Sequence, residues 1–326
     1  MEKSVTKVGG NTKKTEKRRK KKDFYFRRLF RDIKKNPTLY VMSLPAFILI
    51  VVFSYIPMAG ILMAFQEYSL ADGLFGSEWI GFTNFKLFFS SYYCKNVILN
   101  TFFISLYSLF VGFGMPIVFA LIVNTLGKSL AGKAMKVLSI IPYFISTVIM
   151  VSIIETFFNG YDGIFNSFLN LFGIKSIDFI NRNEGFYSLF VWTDLWQGMG
   201  WSSIIYLSVL GGVPAELYDA AKLDGANKIN VLRHIEFPEL IPTITTLLVL
   251  ALGGLLSVGF EKIYLLQDTL NLDKSEVIST YVYKMGVLSQ DYGFGTAVGL
   301  FNSVVSFTLL VTANLIVRRF SDYSLW

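Results

Sequence analysis

Asp194, Gln197 and Trp201 recur at i, i+3 and i+7 in the stretch WTDLWQGMGWSSIIYL (residues 192–207), so they share one face of a helix. Trp192 and Trp196 lie beside them at i, i+4. Aromatic rings stack on the C–H faces of a sugar, while a carboxylate and an amide bind its hydroxyls. An aromatic belt at the membrane surface accounts for Trp192 equally well, whereas Asp194 and Gln197, deep in an apolar segment, call for a cavity or a partner helix. Weaker candidates of the same kind are Asn302 and Ser303, Glu261 with Lys262 near an outer mouth, and Asn100, which suits a hydrogen bond between helices.

Other chemistries lack their residues. Cys94 and His234 each occur once, no His/Cys/Asp/Glu group has metal-ligand spacing, and there is no Ser-His-Asp or nucleophile-elbow pattern. Neither catalysis nor a resident metal or cofactor is expected. GKSLAGKA (127–134) has the glycines and lysine of a phosphate-binding loop, but Ala134 stands where a Ser or Thr hydroxyl should hold magnesium. No strand precedes it, so it reads as a tight basic turn, and ATP hydrolysis by this chain is not expected.

The elements that must carry these residues are membrane spans. The chain is 53% hydrophobic and 16% charged, and six apolar runs of about 20 residues or more match the thickness of a bilayer. They cover 40–65, 97–123, 136–158, 187–211, 240–264 and 294–317. The expected fold is an all-α, six-helix membrane domain over 39–326. Of 30 Lys and Arg, 15 fall within residues 1–39, and the 124–136, 212–239 and C-terminal segments hold most of the rest. That bias puts both termini and the 212–239 loop in the cytoplasm.

The N-terminal run is read as a disordered basic tail (1–23) and an amphipathic helix (24–38) on anionic lipid headgroups. Phe26, Leu29, Phe30 and Ile33 form its apolar face. No cleavable leader is expected, and no nucleic acid, because the basic run adjoins a span.

The 212–239 loop is charged and alanine-rich between two apolar spans. Pro214 suits a first helical turn, Glu216 and Asp219 lie near its positive end, and Gly225 suits a left-handed cap. A second helical piece is expected over Asn227–Ile235, with Pro238 and Pro242 re-entering the membrane. The alanines make the first helix slim enough for a groove on another protein, with Leu223 and Tyr218 as apolar anchors.

The spacing Asp219-Ala220-Ala221, then Gly225, Ile235 and Phe237-Pro238 resembles the EAA loop of ABC import permeases (E-A-A-x3-G-x9-I-x-L-P), with Asp for Glu and Phe for Leu. YVMSLPAFILIVVFSYIPMAGILMAFQEYS, WIGFTNFKLFF, LNTFFIS, VISTYVYKMG and TAVGLFNSVVSF extend the resemblance to permeases for oligosaccharides and polysaccharide fragments, over nearly all of 37–326. It implies a type I importer subunit in the cell membrane that moves carbohydrate by alternating access. Its implied partners are a second homologous permease, two ATP-binding subunits holding ATP and Mg2+, an extracellular solute-binding protein and membrane lipids. The loop would be the ATPase contact through Glu216, Asp219, Ala220, Ala221, Leu223, Gly225, Ile235 and Pro238. The outer loops 67–96, 159–186 and 267–293 would meet the binding protein. Gly225→Asp, losing the cap and burying a charge, is expected to uncouple ATPase from transport. An ion-coupled secondary sugar transporter is the rival; it would need several internal carboxylates, where Asp194 is the one deep acid.

Overall fold

A computed structural model describes residues 31–320, except 128, 161, 182 and 184. The basic tail and residues 24–30 of the expected amphipathic helix lie outside the described residues, as does Lys128 of the basic turn. Two compact units divide between Ile61 and Leu62.

In the first unit a helical turn over 31–35 ends at Asn36, whose backbone is not helical (φ −131°). Helix α1 (Pro37–Phe65) then starts on a proline, whose missing N–H is no loss in a first turn. The amphipathic helix therefore stops before 38 and the span opens before 40. Leu39, Phe47, Phe53 and Ile56 are all more than half exposed. A helix apolar on every side needs lipid or another chain around it.

The second unit takes in the last turn of α1 from Leu62, then a two-residue ladder, β1 (Gln66–Glu67) antiparallel to β2 (Glu78–Trp79), followed by α2 (Thr83–Ser90). The longer helices are α3 (Cys94–Leu126), α4 (Leu130–Phe144), α5 (Thr147–Phe158) and α6 (Ile164–Leu171). Then come α7 (Phe186–Gly211), α8 (Ala215–Leu223), α9 (Lys228–Gly253), α10 (Phe260–Leu266), α11 (Ile278–Val282) and α12 (Tyr292–Arg319).

Among the described residues four helices are long and apolar enough to cross a membrane: α1, α3, α9 and α12. A fifth is counted if α4 and α5, bent by 103°, form one span. The expected straight third span (136–158) is thus a broken one. Pro142 sits in the 3-10 turn that ends α4, and Ser146 caps α5 by accepting the Ile149 N–H at 3.5 Å. Helix α7 has 26 residues, enough to cross, but its Asp, Gln, Trp and Ser content lowers its hydropathy below that of the others.

The expected fifth span (240–264) is also redrawn. Its helix begins at Lys228, runs through Pro238 and Pro242, and stops at Gly253; helix resumes only at Phe260. The second helical piece of the loop is therefore the first part of α9, carried through a π turn at Leu232–Glu236. Helix opens at Ala215 with Pro214 as its cap residue, one position earlier than a first-turn proline.

Helix α7 is the centre of this unit. Phe186 and Phe190 pack with Ile104 of α3, Met150 and Ile154 of α5, and Ile263 of α10. Lower down, Tyr206 and Leu210 meet Ile117 and Leu121 of α3 and Leu240 of α9. Against α4 the approach is closer still: a Cβ on Gly200 would sit 2.1 Å from the Ser139 carbonyl oxygen. Lipid tails are as apolar as leucine, so inside a bilayer such contacts hold helices by close packing and hydrogen bonds rather than by expelling water.

Candidate functional site

The interruption after Gly253 makes a cleft. Residues 254–259 leave helical geometry and, with Ser105, Ser108 and Phe113 of α3 and Phe190 and Asp194 of α7, surround a cavity of about 340 Å³. Non-helical backbone within a span is tolerated where it lines a cavity, and broken helices mark binding sites in transporters. The hydroxyls of Ser105 and Ser108, one turn apart, are buried and have no hydrogen-bond partner among the described residues. Asp194 lines this space with 59% of its side chain exposed.

Lys262 of α10 lies behind that carboxylate. Its Nζ is 3.4 Å from Asp194 Oδ1 and 5.2 Å from the centre of the Phe190 ring, with 5% of the side chain exposed. The expectation that Lys262 faces an outer mouth is corrected here: it is a buried cation anchoring the cleft's carboxylate. Neighbouring Glu261 is exposed in the first turn of α10 and does not line the cleft.

The other sequence-selected side chains of α7 do not gather round one cavity. Trp192 donates its indole N–H to the Tyr107 hydroxyl at 2.8 Å. Gln197 donates to the Ile145 carbonyl at 2.8 Å, taking up a backbone acceptor at the α4–α5 bend. Trp196 is half-exposed. Trp201 stacks flat on Tyr143 with ring centres 4.5 Å apart and lines a second cavity, of about 400 Å³, with Gly112 and Phe113.

On α12, Ser303 bonds back to the Gly299 carbonyl at 3.0 Å, and the Asn302 side-chain amide oxygen is buried without a hydrogen-bond partner among the described residues; neither residue lines the cleft. Asn100 makes the interhelical kind of contact expected of it. Its amide donates to the carbonyls of Asp273 and Glu276 at 2.9 Å each, and its oxygen accepts the Tyr187 hydroxyl at 2.6 Å.

Helix α8 ends in a two-bond cap. The Ala226 N–H donates to Ala221 O at 2.9 Å and the Gly225 N–H to Lys222 O at 3.1 Å, with Gly225 at φ +72°. A Cβ there would meet nothing within 4 Å, so the constraint on Gly225 is its backbone angle, and an Asp would be exposed in this chain instead of buried. Glu216, Asp219 and Ala220 are exposed, and Leu223 is 90% exposed. Tyr218 and Ala221 turn inward, so of the two expected apolar anchors Leu223 faces outward, as Leu217 does in part, and Tyr218 does not. Ile235 is half-buried and Pro238 exposed, both within the continuous α9.

Beneath α8 lies a hollow of about 690 Å³, reached by Tyr218, Lys222, Lys228, Asn124 and Glu236. Glu236 is buried; its Oε1 accepts the Asn124 amide at 2.6 Å. Burial, with the Glu236 carboxylate adding to it and Asn124 opposing, pushes the Tyr218 phenol above its ordinary value, so it stays a protonated donor at neutral pH. The sequence reading passed over Ser105, Ser108, Asn124 and Glu236; the one available signal was a carboxylate three residues from the apolar run of α9.

Residues 112–322 match the family described as "Binding-protein-dependent transport system inner membrane component". The chain is 35% identical to the polygalacturonan/rhamnogalacturonan transport system permease protein YteP of Bacillus subtilis (strain 168), over 92% of its own length and 94% of that protein's. It is 34% identical to Protein LplB of the same strain, over 90% and 92%. It superposes with a TM-score of 0.84 on a chain in the crystal structure of a bacterial alginate ABC transporter in complex with an alginate pentasaccharide-bound periplasmic protein. That match has 35% identity and covers 91% of this chain and all of that one. This chain therefore belongs to the family of binding-protein-dependent transport system inner membrane components, as a multi-pass permease subunit.

Proposed function

We propose that the chain is the membrane-spanning permease of an ATP-driven importer of carbohydrate, moving oligosaccharides or polysaccharide fragments inward by alternating access. The observation that carries this reading is the full-length likeness to the alginate transporter chain, supported by a relative named for polygalacturonan and rhamnogalacturonan. In this reading α7 is a further span and the bent α4–α5 pair another, giving six with both termini cytoplasmic. A second homologous permease completes the pathway, two ATP-binding subunits hold ATP and Mg2+, and an extracellular solute-binding protein delivers the sugar.

The cleft at the helix break is the part of the pathway in this chain. The free hydroxyls of Ser105 and Ser108 and the Asp194 carboxylate bind sugar hydroxyls, and the ion pair with Lys262 fixes the position of Asp194. Of the residues selected for the pathway, Trp201 lines an adjoining cavity, Trp192 and Gln197 brace the helices around it, and Trp196, Asn302, Ser303 and Glu261 lie outside the cleft. Helix α8 is the ATPase contact, with Leu223 as its anchor and Glu216, Asp219, Ala220, Ala221 and Gly225 shaping its exposed surface; Ile235 and Pro238 join it to α9.

The test is uptake by the complete complex in liposomes, with trigalacturonate, an alginate trisaccharide and cellotriose as probes. The expected result is import of at least one probe that requires ATP and the binding protein and survives a protonophore. Import that persists without ATP and collapses with the proton gradient overturns the reading in favour of ion-coupled transport.

A further inference from the structure

Asp194 is the one charged side chain among the described residues that line the cleft at the helix break. Its partner Lys262 is 5% exposed and does not line the cleft. The Lys262 Nζ is taken up by Asp194 Oδ1 at 3.4 Å and by the Phe190 ring, 5.2 Å from its centre. A molecule entering the cleft therefore meets the carboxylate and not the ammonium. The pair is neutral in sum, but its negative member stands on the cavity side, and beside an apolar wall that charge is weakly screened.

The broken span adds to this field. Helix α9 has 26 residues and ends at Gly253, beside Gly254 in the cleft wall. Its last carbonyls are the negative end of a helix dipole. The positive end across the break, at Phe260, belongs to a helix of 7 residues that carries Glu261 in its own first turn. Sugar hydroxyls are donors that a carboxylate and backbone carbonyls accept, whereas an ionised sugar carboxylate brings only acceptors and a like charge. At about 340 Å³ the cavity is near the lower end of the range of about 300–1,000 Å³ for small-molecule sites. A second carboxylate inside it has no room to stand clear of Asp194.

We infer that Asp194 sets the charge of the cargo: the cleft admits neutral oligosaccharides, or uronates capped as methyl esters, and repels free uronates. The inference deepens the proposed role of the cleft as a sugar pathway and rests on it. It sets the cargo of this chain apart from the acidic polysaccharide of the structurally similar alginate transporter. Selectivity of this kind comes from a repulsive group as much as from attractive ones.

The test uses the complete transporter in detergent, without nucleotide or binding protein, in a Cys94→Ser background. Gly112→Cys puts a thiol in the cleft lining, where a Cβ meets nothing within 4 Å. Its reaction with N-ethylmaleimide is followed by the mass of this chain. The protecting probes are trigalacturonate and its fully methyl-esterified form, equal in length and different in charge. The ester should slow labelling at a concentration at least tenfold lower than the acid. In Asp194→Asn/Lys262→Met the two probes should protect alike. In Asp194→Asn, where Lys262 keeps its charge, their order should reverse. Equal protection with Asp194 in place, a preference unchanged in the double variant, no protection by either probe, or an unreactive thiol overturns the inference. Thermal unfolding shows which variants are intact; should one fail to fold, the parent and the other variant decide. In the liposome assay, import of trigalacturonate by the wild type overturns the inference and upholds the importer reading. Import of no probe at all counts against that reading, and the labelling series still decides the cleft.

Discussion

A lysine ammonium buried among aromatic and aliphatic side chains is tolerable only with its countercharge in place. Removing one partner of a buried ion pair leaves the other stranded, at a cost of about 3–5 kcal/mol when both are deep. Asp194 is partly exposed, so Asp194→Asn should destabilise by about 2 kcal/mol, below that range. The Asp194→Asn/Lys262→Met double variant should regain most of that loss, because the stranded charge goes with its partner. Thermal unfolding of the purified complex checks the ordering, and equal stability of single and double variants would contradict it. Lys262→Met alone should spare the fold and lower import, since the cleft carboxylate loses its anchor. At Gly225 the difficulty is the backbone: a side chain at φ +72° costs about 1–2 kcal/mol. Gly225→Ala should therefore loosen the end of α8 without unfolding the spans, seen as faster proteolysis within 212–239 and unchanged thermal unfolding.

Helix α7 is held where it is by the absence of a side chain. With a Cβ 2.1 Å from a backbone oxygen, Gly200→Val must drive α7 away from α4 and strip Gln197 from the bend at Ile145. Overpacking typically costs about 1–3 kcal/mol, and a clash with backbone belongs at the upper end of that range. The expected outcome is little or no folded permease in membranes, by detergent-solubilised yield; a wild-type yield would show that the helices separate freely. The helices themselves were largely legible in the amino-acid sequence, because a run of apolar residues long enough for a bilayer has few other fates. Their interruptions were less so. LGGLLSVGF (252–260) is as apolar as a continuing helix, and only the pair of glycines hints at the break. The α4–α5 bend hides in a single Pro-Tyr-Phe-Ile-Ser stretch. The cleft was half legible: Asp194 stood out as a lone acid, but its partner is 68 residues away, and serines one turn apart are too common to notice until a broken helix faces them.

At the scale of the molecule, the proposed arrangement of six spans with both ends inside would put α8 and the β1–β2 hairpin on opposite sides of the membrane. Cys94 is buried and is the one cysteine of the chain, so a Cys94→Ser background permits a direct check. Leu223→Cys should react with a membrane-impermeant maleimide only from the cytoplasmic side, and Phe75→Cys, at a residue 92% exposed, only from outside. Labelling of both from one side would refute the orientation. The bareness of Leu223 also has a consequence for the life of the subunit in the cell. In that proposed arrangement a newly inserted permease whose ATPase has not arrived would display Leu223 to the cytosol, with Ile229 also exposed, in a short helix bounded by glycines. Such a segment is what membrane proteases and chaperones grip. Docking would hide it, so survival of the subunit would become conditional on assembly, and surplus copies would be cleared without any dedicated sensor of stoichiometry.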